Sequence, residues 1–348
     1  MSETERQNPN NHQNTIIKSL IQCLNLIIPY LPPIDIASIS SSCKTLHKIT
    51  KKVTNTRSCD ASRGFENFPT PFINKIDSKP YDFFYYTQNQ TLPINFDTFL
   101  QPWGTYSVKG LVHDFCLPNT KICPRPDFYR VWSDPFLFRV EGGSGCECRS
   151  CGEECCCLDE KDELGHECGP SCLCGLECGN RVTQRGVRVK LKVVRDEKKG
   201  WSLYGDEFIG RCSFVCEYAG ELLTTGEARR RQEIYDELAS KRKLSPALLV
   251  VKEHLSSGNV CMRINIDATR IGNIARFINH SCDGGNLSPV IVRSSGALLP
   301  RVCFFASRDI QENEELTFRY GEARLKENGL KCFCGSSSCY GILPSENT

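Results

Sequence analysis

The stretch CECRSCGEECCCLDEKDELGHECGPSCLCGLEC, residues 146–178, holds ten cysteines in the spacing C-x-C-x2-C-x3-CCC-x10-C-x3-C-x-C-x3-C. Thiolates one or two residues apart cannot all adopt disulfide geometry, whereas a tetrahedral soft cation such as zinc gathers ligands from short loops. Three separate four-cysteine sites would need about twelve thiolates, but a ring of zinc ions that shares bridging thiolates would need only about nine. The stretch therefore predicts metal binding, and its spacing leaves open a shared ring or two separate zinc sites.

The rest of the chain has the composition of an ordinary globular protein. Its 348 residues have room for about two domains. The 43 basic and 41 acidic residues nearly balance, so no direct sequence-specific binding of nucleic acid is expected. We expect no signal peptide, because the first dozen residues are polar, and no membrane span, because the apolar stretch 16–31 is short and contains Lys18 and Pro29. Without a secretory route, the 23 cysteines indicate a reducing compartment and thiolate ligands.

Hydrophobic periodicity divides the chain into a helical start and a β-rich remainder. Residues 1–14 are polar without periodicity and are predicted to form a disordered tail, whereas residues 15–55 contain two helical patterns separated by Pro32 and Pro33. Residues 56–141 predict an irregular region that packs on the core, and residues 225–240 predict one strong helix. Short β-like runs occur at 187–194, 213–218, 262–267, 289–292, 301–306 and 315–320. The predicted fold class is mainly β, with several small sheets and a small helical N-terminal region.

Four motifs in order resemble the signatures of a known family. They are Gly200-Trp201, EYAGE at 217–221, RFINHSC at 276–282 and ELTFRYG at 315–321. Residues 187–321 resemble the SET domain of lysine methyltransferases, residues 142–186 its pre-SET segment, and residues 322–348, with CFCGSSSC at 332–339, its post-SET segment. This combination is similar to the suppressor-of-variegation group of histone-lysine N-methyltransferases, and the details are closest to its plant-type related branch. The resemblance implies a SET fold with a pseudoknot-like C-terminal segment between two zinc-binding flanks.

The resemblance also implies an active site. Methyl transfer from a sulfonium to an amine is an in-line displacement that needs alignment and an uncharged lysine, whose free pKa is about 10.4. A narrow channel with aromatic walls disfavours the ammonium form and tolerates the methylated cation. Catalytic roles are implied for Tyr320 and Tyr218, and Phe318 matches the position where phenylalanine leaves space for di- or trimethylation. The residues implied in binding S-adenosylmethionine are Gly200, Trp201, Ser202, Arg276, Asn279 and His280, of which Arg276 matches a buried structural basic residue.

The same resemblance assigns the cysteines to two zinc-binding segments, with about three zinc ions expected in the pre-SET cluster and one in the post-SET site. The candidate ligands of the pre-SET cluster are Cys146, Cys148, Cys151, Cys155, Cys156, Cys157, Cys168, Cys172, Cys174 and Cys178. The candidate ligands of the post-SET site are Cys282, Cys332, Cys334 and Cys339. Cys155, Cys156 and Cys157 compete for two positions, and we favour Cys155 and Cys157.

The function that the resemblance implies is methyl transfer from S-adenosylmethionine to a histone tail, at histone H3 lysine-9, with di- or trimethyl products. Such an enzyme acts in chromatin silencing and is expected in the nucleus. The stretch LPPIDIASISSSCKTLHKIT, residues 31–50, resembles the later half of an F-box, which implies a Skp1-type adaptor as a partner of the N-terminal helices.

Several departures from the family pattern keep alternatives open, and one of them is the absence of the usual tyrosine near residues 247–251. Ser202 stands where the family has a glycine, Arg319 where it has an acidic residue, and Gly284-Gly285 where it has a proline. A methyltransferase of non-histone lysines would have the same chemistry on another substrate. A non-catalytic chromatin or ubiquitin-ligase adaptor would use a degenerate SET fold to bind peptide only.

Overall fold

The computed structural model describes residues 9–77, 81, 84–92, 102–103, 106–107, 136–149, 151, 165–240, 246–254, 261–321 and 329–344. The chain divides into two compact units. The first comprises the first 60 residues with 81–83, and the second comprises 61–80 and 84–348.

The first unit consists of helices α1 (Pro9–Ile27), α2 (Pro33–Ser40) and α3 (Lys44–Cys59). Because α1 begins at Pro9, the predicted disordered tail is wrong over residues 9–14; proline at a first helical position is pre-set for the helical φ angle. The second helical pattern splits into α2 and α3. Ser41 Oγ donates to Ser38 O at 2.8 Å and Ser42 Oγ donates to the same oxygen at 3.2 Å, and such serine contacts compete with helix continuation.

The described part of the second unit is mainly β, as predicted, and contains helix α4 (Thr225–Ser240) at the predicted bounds. Its strands in chain order are β1 (Phe72–Ile73), β2 (Tyr85–Tyr86), β3 (Pro102–Trp103), β4 (Tyr106–Ser107), β5 (His166–Glu167), β6 (Leu191–Asp196), β7 (Gly200–Gly205), β8 (Phe214–Glu217), β9 (Gly220–Leu223), β10 (Leu248–His254), β11 (Cys261–Gly272), β12 (Asn279–His280), β13 (Leu287–Ser294), β14 (Arg301–Ala306) and β15 (Thr317–Phe318). The described strands form several small sheets instead of one continuous sheet.

One three-stranded sheet and one four-stranded sheet each incorporate a short strand from residues 56–141. Strand β1 lies parallel to β6, which pairs with β7 in antiparallel fashion. Strand β2 lies parallel to the end of β11, and β11 also pairs with β9 and β10 in antiparallel fashion. A further sheet has the order β5-β13-β14-β8. Strand β5, which follows the first described cysteines in the chain, therefore belongs to the same sheet as β8.

The sequence prediction of strands was correct for 301–306 and shorter or longer than the structure elsewhere. The run 187–194 becomes a strand only from Leu191, and a 3-10 helix lies before the run over Thr183–Arg185. The run 262–267 extends to twelve residues in β11, and the run 315–320 shortens to β15. In the described part of the chain, no helix is long and apolar enough to cross a membrane.

Candidate active site and cysteine clusters

The segment at Thr317–Phe318 threads between two other segments of the chain. On one side β15 runs parallel to β12, and Ser281 N donates to Phe318 O at 2.9 Å. On the other side Asn286 N donates to Thr317 O at 3.0 Å, and Thr317 N donates to Asn286 Oδ1 at 2.9 Å. The motifs at 276–282 and 315–321 are therefore held together by backbone hydrogen bonds, as a pseudoknot-like C-terminal segment requires. We call this threaded arrangement of residues 279–286 and 315–321 the knot.

Gly285 explains one departure from the family pattern. Its φ angle is +75°, and a Cβ atom there would lie 2.3 Å from Thr317 O. A side chain at this position would collide with the backbone of the threaded segment. The glycine pair is thus compatible with the knot, and residue 285 must be glycine for this backbone path.

A row of aromatic rings connects the predicted catalytic residues. The ring centroids of Phe304 and Phe318 are 4.7 Å apart, those of Phe318 and Tyr320 are 4.9 Å apart, and those of Tyr218 and Phe304 are 6.3 Å apart. Tyr218 and Phe318 are buried, and Tyr320 is half-buried. These rings form a continuous apolar wall next to the knot, of the kind that favours an uncharged amine.

Both tyrosine hydroxyls are fixed by backbone carbonyls. Tyr218 Oη donates to Ala247 O at 2.8 Å, and Tyr320 Oη donates to Ile278 O at 2.5 Å. Burial raises the pKa of Tyr218 well above 10, and the nearby Tyr320 raises it further. Burial also raises the pKa of Tyr320, with a smaller contribution from Glu315. Both hydroxyls therefore stay neutral at physiological pH, which suits groups that position a substrate and not groups that remove a proton.

His280 joins the knot to the post-SET cysteines. Tyr320 N donates to His280 Nδ1 at 3.1 Å, and His280 Nε2 lies 3.2 Å from Cys282 Sγ. Burial and the charge of Arg319 lower the pKa of His280. In a neutral ring whose Nδ1 accepts a hydrogen bond, Nε2 carries the hydrogen and donates it to the sulfur. Because both ring nitrogens have protein partners, His280 can contribute only its backbone to a bound cofactor.

The predicted cofactor residues divide into two groups. In the first, Asn279 Nδ2 donates to Ser202 Oγ at 2.7 Å and to Glu315 Oε1 at 3.1 Å, next to Gly200 and Trp201 at the start of β7. In the second, the guanidinium of Arg276 lies 4.4 Å from the centre of the Phe84 ring and donates to Thr269 O at 3.1 Å. Arg276 thus has the contacts of a structural residue.

Sequence reasoning missed several residues that complete this site. Glu315 accepts from Asn279 and pairs with Lys199 at 2.5 Å. Asn286 donates to Glu314 Oε1 and to Glu315 O, both at 2.9 Å, and so ties the knot from its side chain. Glu315 opens the motif ELTFRYG, and its position beside the apolar Leu316 is the one signal that could have singled it out.

Four cysteines meet at the post-SET site as predicted. The Sγ atoms of Cys282, Cys332, Cys334 and Cys339 all lie within 4.8 Å of one another, and Cys282 Sγ is 3.8 Å from Cys332 Sγ. A tetrahedral zinc with Zn–S bonds of about 2.3 Å requires sulfurs about 3.8 Å apart. The donor set therefore fits a zinc ion. Arg319 Nη2 donates to the carbonyl of Cys282 at 2.5 Å, so the charge that departs from the family pattern is directed at the backbone of this site.

The described cysteines of the pre-SET segment form one packed cluster. The Sγ atoms of Cys146, Cys151, Cys168 and Cys174 lie within 4.8 Å of one another, with individual separations of 3.3–3.9 Å that exceed a disulfide bond. Cys148, Cys172 and Cys178 pack in the same cluster. This set fits zinc as well. The predicted ligands Cys155, Cys156 and Cys157 lie outside the described residues.

Arg181 is a further residue of this cluster that sequence reasoning did not single out. Its guanidinium donates to Gly169 O at 2.9 Å and to Cys174 O at 3.0 Å. Burial lowers the pKa of Arg181, but the neighbouring cysteines, Cys174 first, raise it by more. A buried cation beside a group of thiolates offsets part of their negative charge.

Comparison with known proteins agrees with this geometry. The SET domain family matches residues 200–321. The chain is 52% identical over 336 residues to the histone-lysine N-methyltransferase SUVR3 of Arabidopsis thaliana, which covers 94% of this chain and 92% of that protein. It is 32% identical over 315 residues to the histone-lysine N-methyltransferase SETMAR of Mus musculus, covering 86% of this chain and 93% of that protein.

Solved structures show the same fold. The methyltransferase domain of human SETMAR superimposes with a TM-score of 0.58 at 27% identity, covering 82% of this chain and 97% of that domain. KRYPTONITE in complex with mCHH DNA, an H3(1-15) peptide and SAH superimposes with a TM-score of 0.54 at 27% identity, covering 82% of this chain and 54% of that chain. Arabidopsis thaliana SUVH6 in complex with SAM gives a TM-score of 0.55 at 26% identity, with coverages of 82% and 55%.

Proposed function

The chain belongs to the SET-domain histone-lysine N-methyltransferases, and from this premise we propose that it methylates lysine 9 of the histone H3 tail to the di- or trimethyl state in chromatin silencing. The observation that carries the proposal is the aromatic row that ends at Tyr320. This residue follows Arg319, and its backbone N–H donates to His280 Nδ1. Support for the H3 tail comes from KRYPTONITE, whose structure contains an H3(1-15) peptide that includes position 9.

The proposed catalytic residues are Tyr320 and Tyr218. Their hydroxyl hydrogens are directed at Ile278 O and Ala247 O, so the hydroxyl oxygens are left to accept from a lysine amine. The amine nitrogen forms a bond to the methyl carbon while the bond from that carbon to sulfur breaks, and sulfur keeps the electron pair. S-adenosylmethionine supplies the methyl group as a sulfonium. The two neutral tyrosines align the amine, and the lysine proton leaves to water because neither hydroxyl is ionised.

The proposed cofactor site comprises the backbone of Gly200, Trp201 and His280 and the side chain of Asn279. Ser202 is completely buried and contributes to this site through Asn279. Arg276 is proposed to support the wall beside Tyr218 and not to touch the cofactor. This assignment leaves the polar end of the site at Asn279 and its apolar end at the aromatic row.

The post-SET zinc is proposed to tie the C-terminal segment to the active site. Cys282 immediately follows the knot, and its sulfur accepts from His280, which in turn locates the backbone of Tyr320. Phe318 leaves the amine end of the channel without a further hydroxyl, which is the basis for more than one methyl per lysine. A nuclear, chromatin location follows from a histone substrate.

The test is a methylation assay with the full zinc-containing chain, isotopically labelled S-adenosylmethionine and an H3(1-15) peptide. We expect label on the wild-type peptide and none on a peptide with arginine at position 9, and mass spectrometry should show di- or trimethyl product. Tyr320→Phe should lose activity, whereas the matched variant Tyr86→Phe, which loses a hydroxyl bonded to Glu66 at 2.7 Å, should retain it.

Each result bears on a different part of the proposal. Equal label on both peptides would exclude lysine 9 as the target. Label on no histone peptide, with another protein lysine labelled instead, would assign the enzyme to non-histone substrates. Full activity in Tyr320→Phe would remove that residue from the catalytic set.

A further inference from the structure

Ser202 and Glu315 hold the side-chain amide of Asn279 from two directions. Asn279 Nδ2 lies 2.7 Å from Ser202 Oγ and 3.1 Å from Glu315 Oε1. Ser202 is completely buried at the third residue of β7, and the carboxylate of Glu315 is held in place by Lys199 at 2.5 Å. Three elements of the fold, β7, β12 and the approach to β15, thus converge on one carboxamide.

These contacts decide which way the carboxamide faces. A carboxylate paired with a lysine has no hydrogen to donate, so the group that faces Glu315 must be the NH₂ of Asn279 and not its oxygen. Both amide hydrogens then have acceptors, one in Glu315 and one in Ser202. Oδ1 points away from these two acceptors, and in the part of the chain that the structure describes no donor reaches it.

We infer that Ser202 and Glu315 are positioning residues that present Asn279 Oδ1 to the ammonium group of the amino-acid part of the methyl donor. A carbonyl oxygen that no donor among the described residues reaches, close to a carboxylate, is a site for a positively charged hydrogen-bond donor. The inference rests on the proposed function, since it assumes that the donor binds at Asn279. It gives the departure at Ser202 a role, because glycine at position 202 would leave one amide hydrogen of Asn279 without its acceptor.

The experiment compares two ligands by calorimetry with the full zinc-containing chain. S-adenosylhomocysteine carries the ammonium group, and 5′-methylthioadenosine lacks the amino-acid part but keeps the nucleoside. The quantity of interest is the ratio of their dissociation constants, which isolates the contribution of the amino-acid part. The variants are Ser202→Ala, Ser202→Gly and Glu315→Gln, whose amide can present either a donor or an acceptor to Asn279. The matched control is Ser294→Ala, a buried serine on β13.

We expect the preference for S-adenosylhomocysteine to fall about fivefold in both Ser202 variants, the effect of one hydrogen bond, and by more in Glu315→Gln. Ser294→Ala should keep the wild-type ratio. An unchanged ratio in Ser202→Ala and Glu315→Gln, with wild-type binding intact, would overturn the inference and leave the proposed function standing. An equal loss of affinity for both ligands would also overturn it, because the hydroxyl would then act on the loop and not on the amide. Failure of the wild-type chain to bind S-adenosylhomocysteine would overturn the proposed function itself.

Discussion

Replacing Glu217 with glutamine should stabilise the protein above neutral pH, because this carboxylate is buried in a cluster with too few positive charges. Glu217 ends β8, one residue before the proposed catalytic Tyr218, and is 5% exposed. Arg301 Nη1 lies 3.3 Å from Glu217 Oε2, but Arg301 Nη2 also pairs with Glu167 at 2.9 Å. One buried guanidinium therefore faces two carboxylates, with the buried thiol of Cys303 close by.

The size of the effect follows from the pKa. Burial raises the pKa of Glu217 from 4.5 to about 7, although Arg301 opposes part of the rise and Glu167 adds to it. Since the folded state holds the proton more tightly than the unfolded state, the contribution of this group to stability is largest below pH 4.5 and is lost as pH rises to about 7. Each tenfold change in the acid constant corresponds to about 1.4 kcal/mol, so the ionised form costs on the order of 3 kcal/mol.

Urea denaturation of wild type and Glu217→Gln at constant zinc, from about pH 5.5 to about pH 8.5, measures this cost. The difference in free energy of unfolding should rise from about 1.4 kcal/mol at the acid end, which is one pH unit above the unfolded pKa, to on the order of 3 kcal/mol above pH 7. The exposed Glu312→Gln controls for the loss of a surface charge and should show no such rise. A difference that does not change with pH, or a variant less stable than wild type at pH 8, would refute the argument.

Three further predictions concern the active site and its frame. Phe318→Tyr should reduce di- and trimethyl product about tenfold relative to monomethyl product, because the added hydroxyl occupies space at the channel end. Mass spectrometry of the peptide measures this product ratio, and an unchanged ratio would contradict the space argument. Cys282→Ser should lower the zinc content by one ion per chain and weaken S-adenosylhomocysteine binding, measured by elemental analysis and calorimetry, and retention of full zinc content would contradict the assigned ligand set. Gly285→Ala should lower the free energy of unfolding in urea by about 2–4 kcal/mol, since a Cβ there collides with Thr317 O. The control Gly284→Ala should cost only about 1 kcal/mol of backbone strain, because nothing lies within 4 Å of its Cβ. Similar losses in both variants would contradict the collision.

The sequence predicted those features whose signal is local. Helix α4 was found because a threonine cap and Glu227 mark its start, and β14 was found because its apolar run is continuous. For the helix and the strand, a short window of the chain contains the physical reason for the structure. The four post-SET cysteines were grouped through the family resemblance, because Cys282 lies 50 positions before Cys332.

Features that depend on contacts between distant segments could not be predicted in this way. Ala247 is important only because its carbonyl accepts from Tyr218, 29 positions away, and any residue has a carbonyl. Strand β10, which follows it, gains its partner from β11 and carries a charged pair of residues that hides its pattern. Asn286 and Glu315 are linked through the knot, which places them side by side although the sequence separates them by 29 positions. Their roles therefore required the fold.

The departures at Ser202, Gly285 and Arg319 provide no physical argument against catalysis. Each of these residues has a structural role at or beside the knot. Ser202 accepts from Asn279, Gly285 leaves room for Thr317 O, and Arg319 donates to the carbonyl of Cys282. An adaptor that only binds peptide would need the aromatic row but not an oriented Asn279. The polar contacts around Asn279 are made by the buried Ser202 and the partly buried Glu315, and polar groups removed from water are costly unless they are satisfied. The arrangement therefore supports the proposal of a site for a methyl donor as well as a peptide.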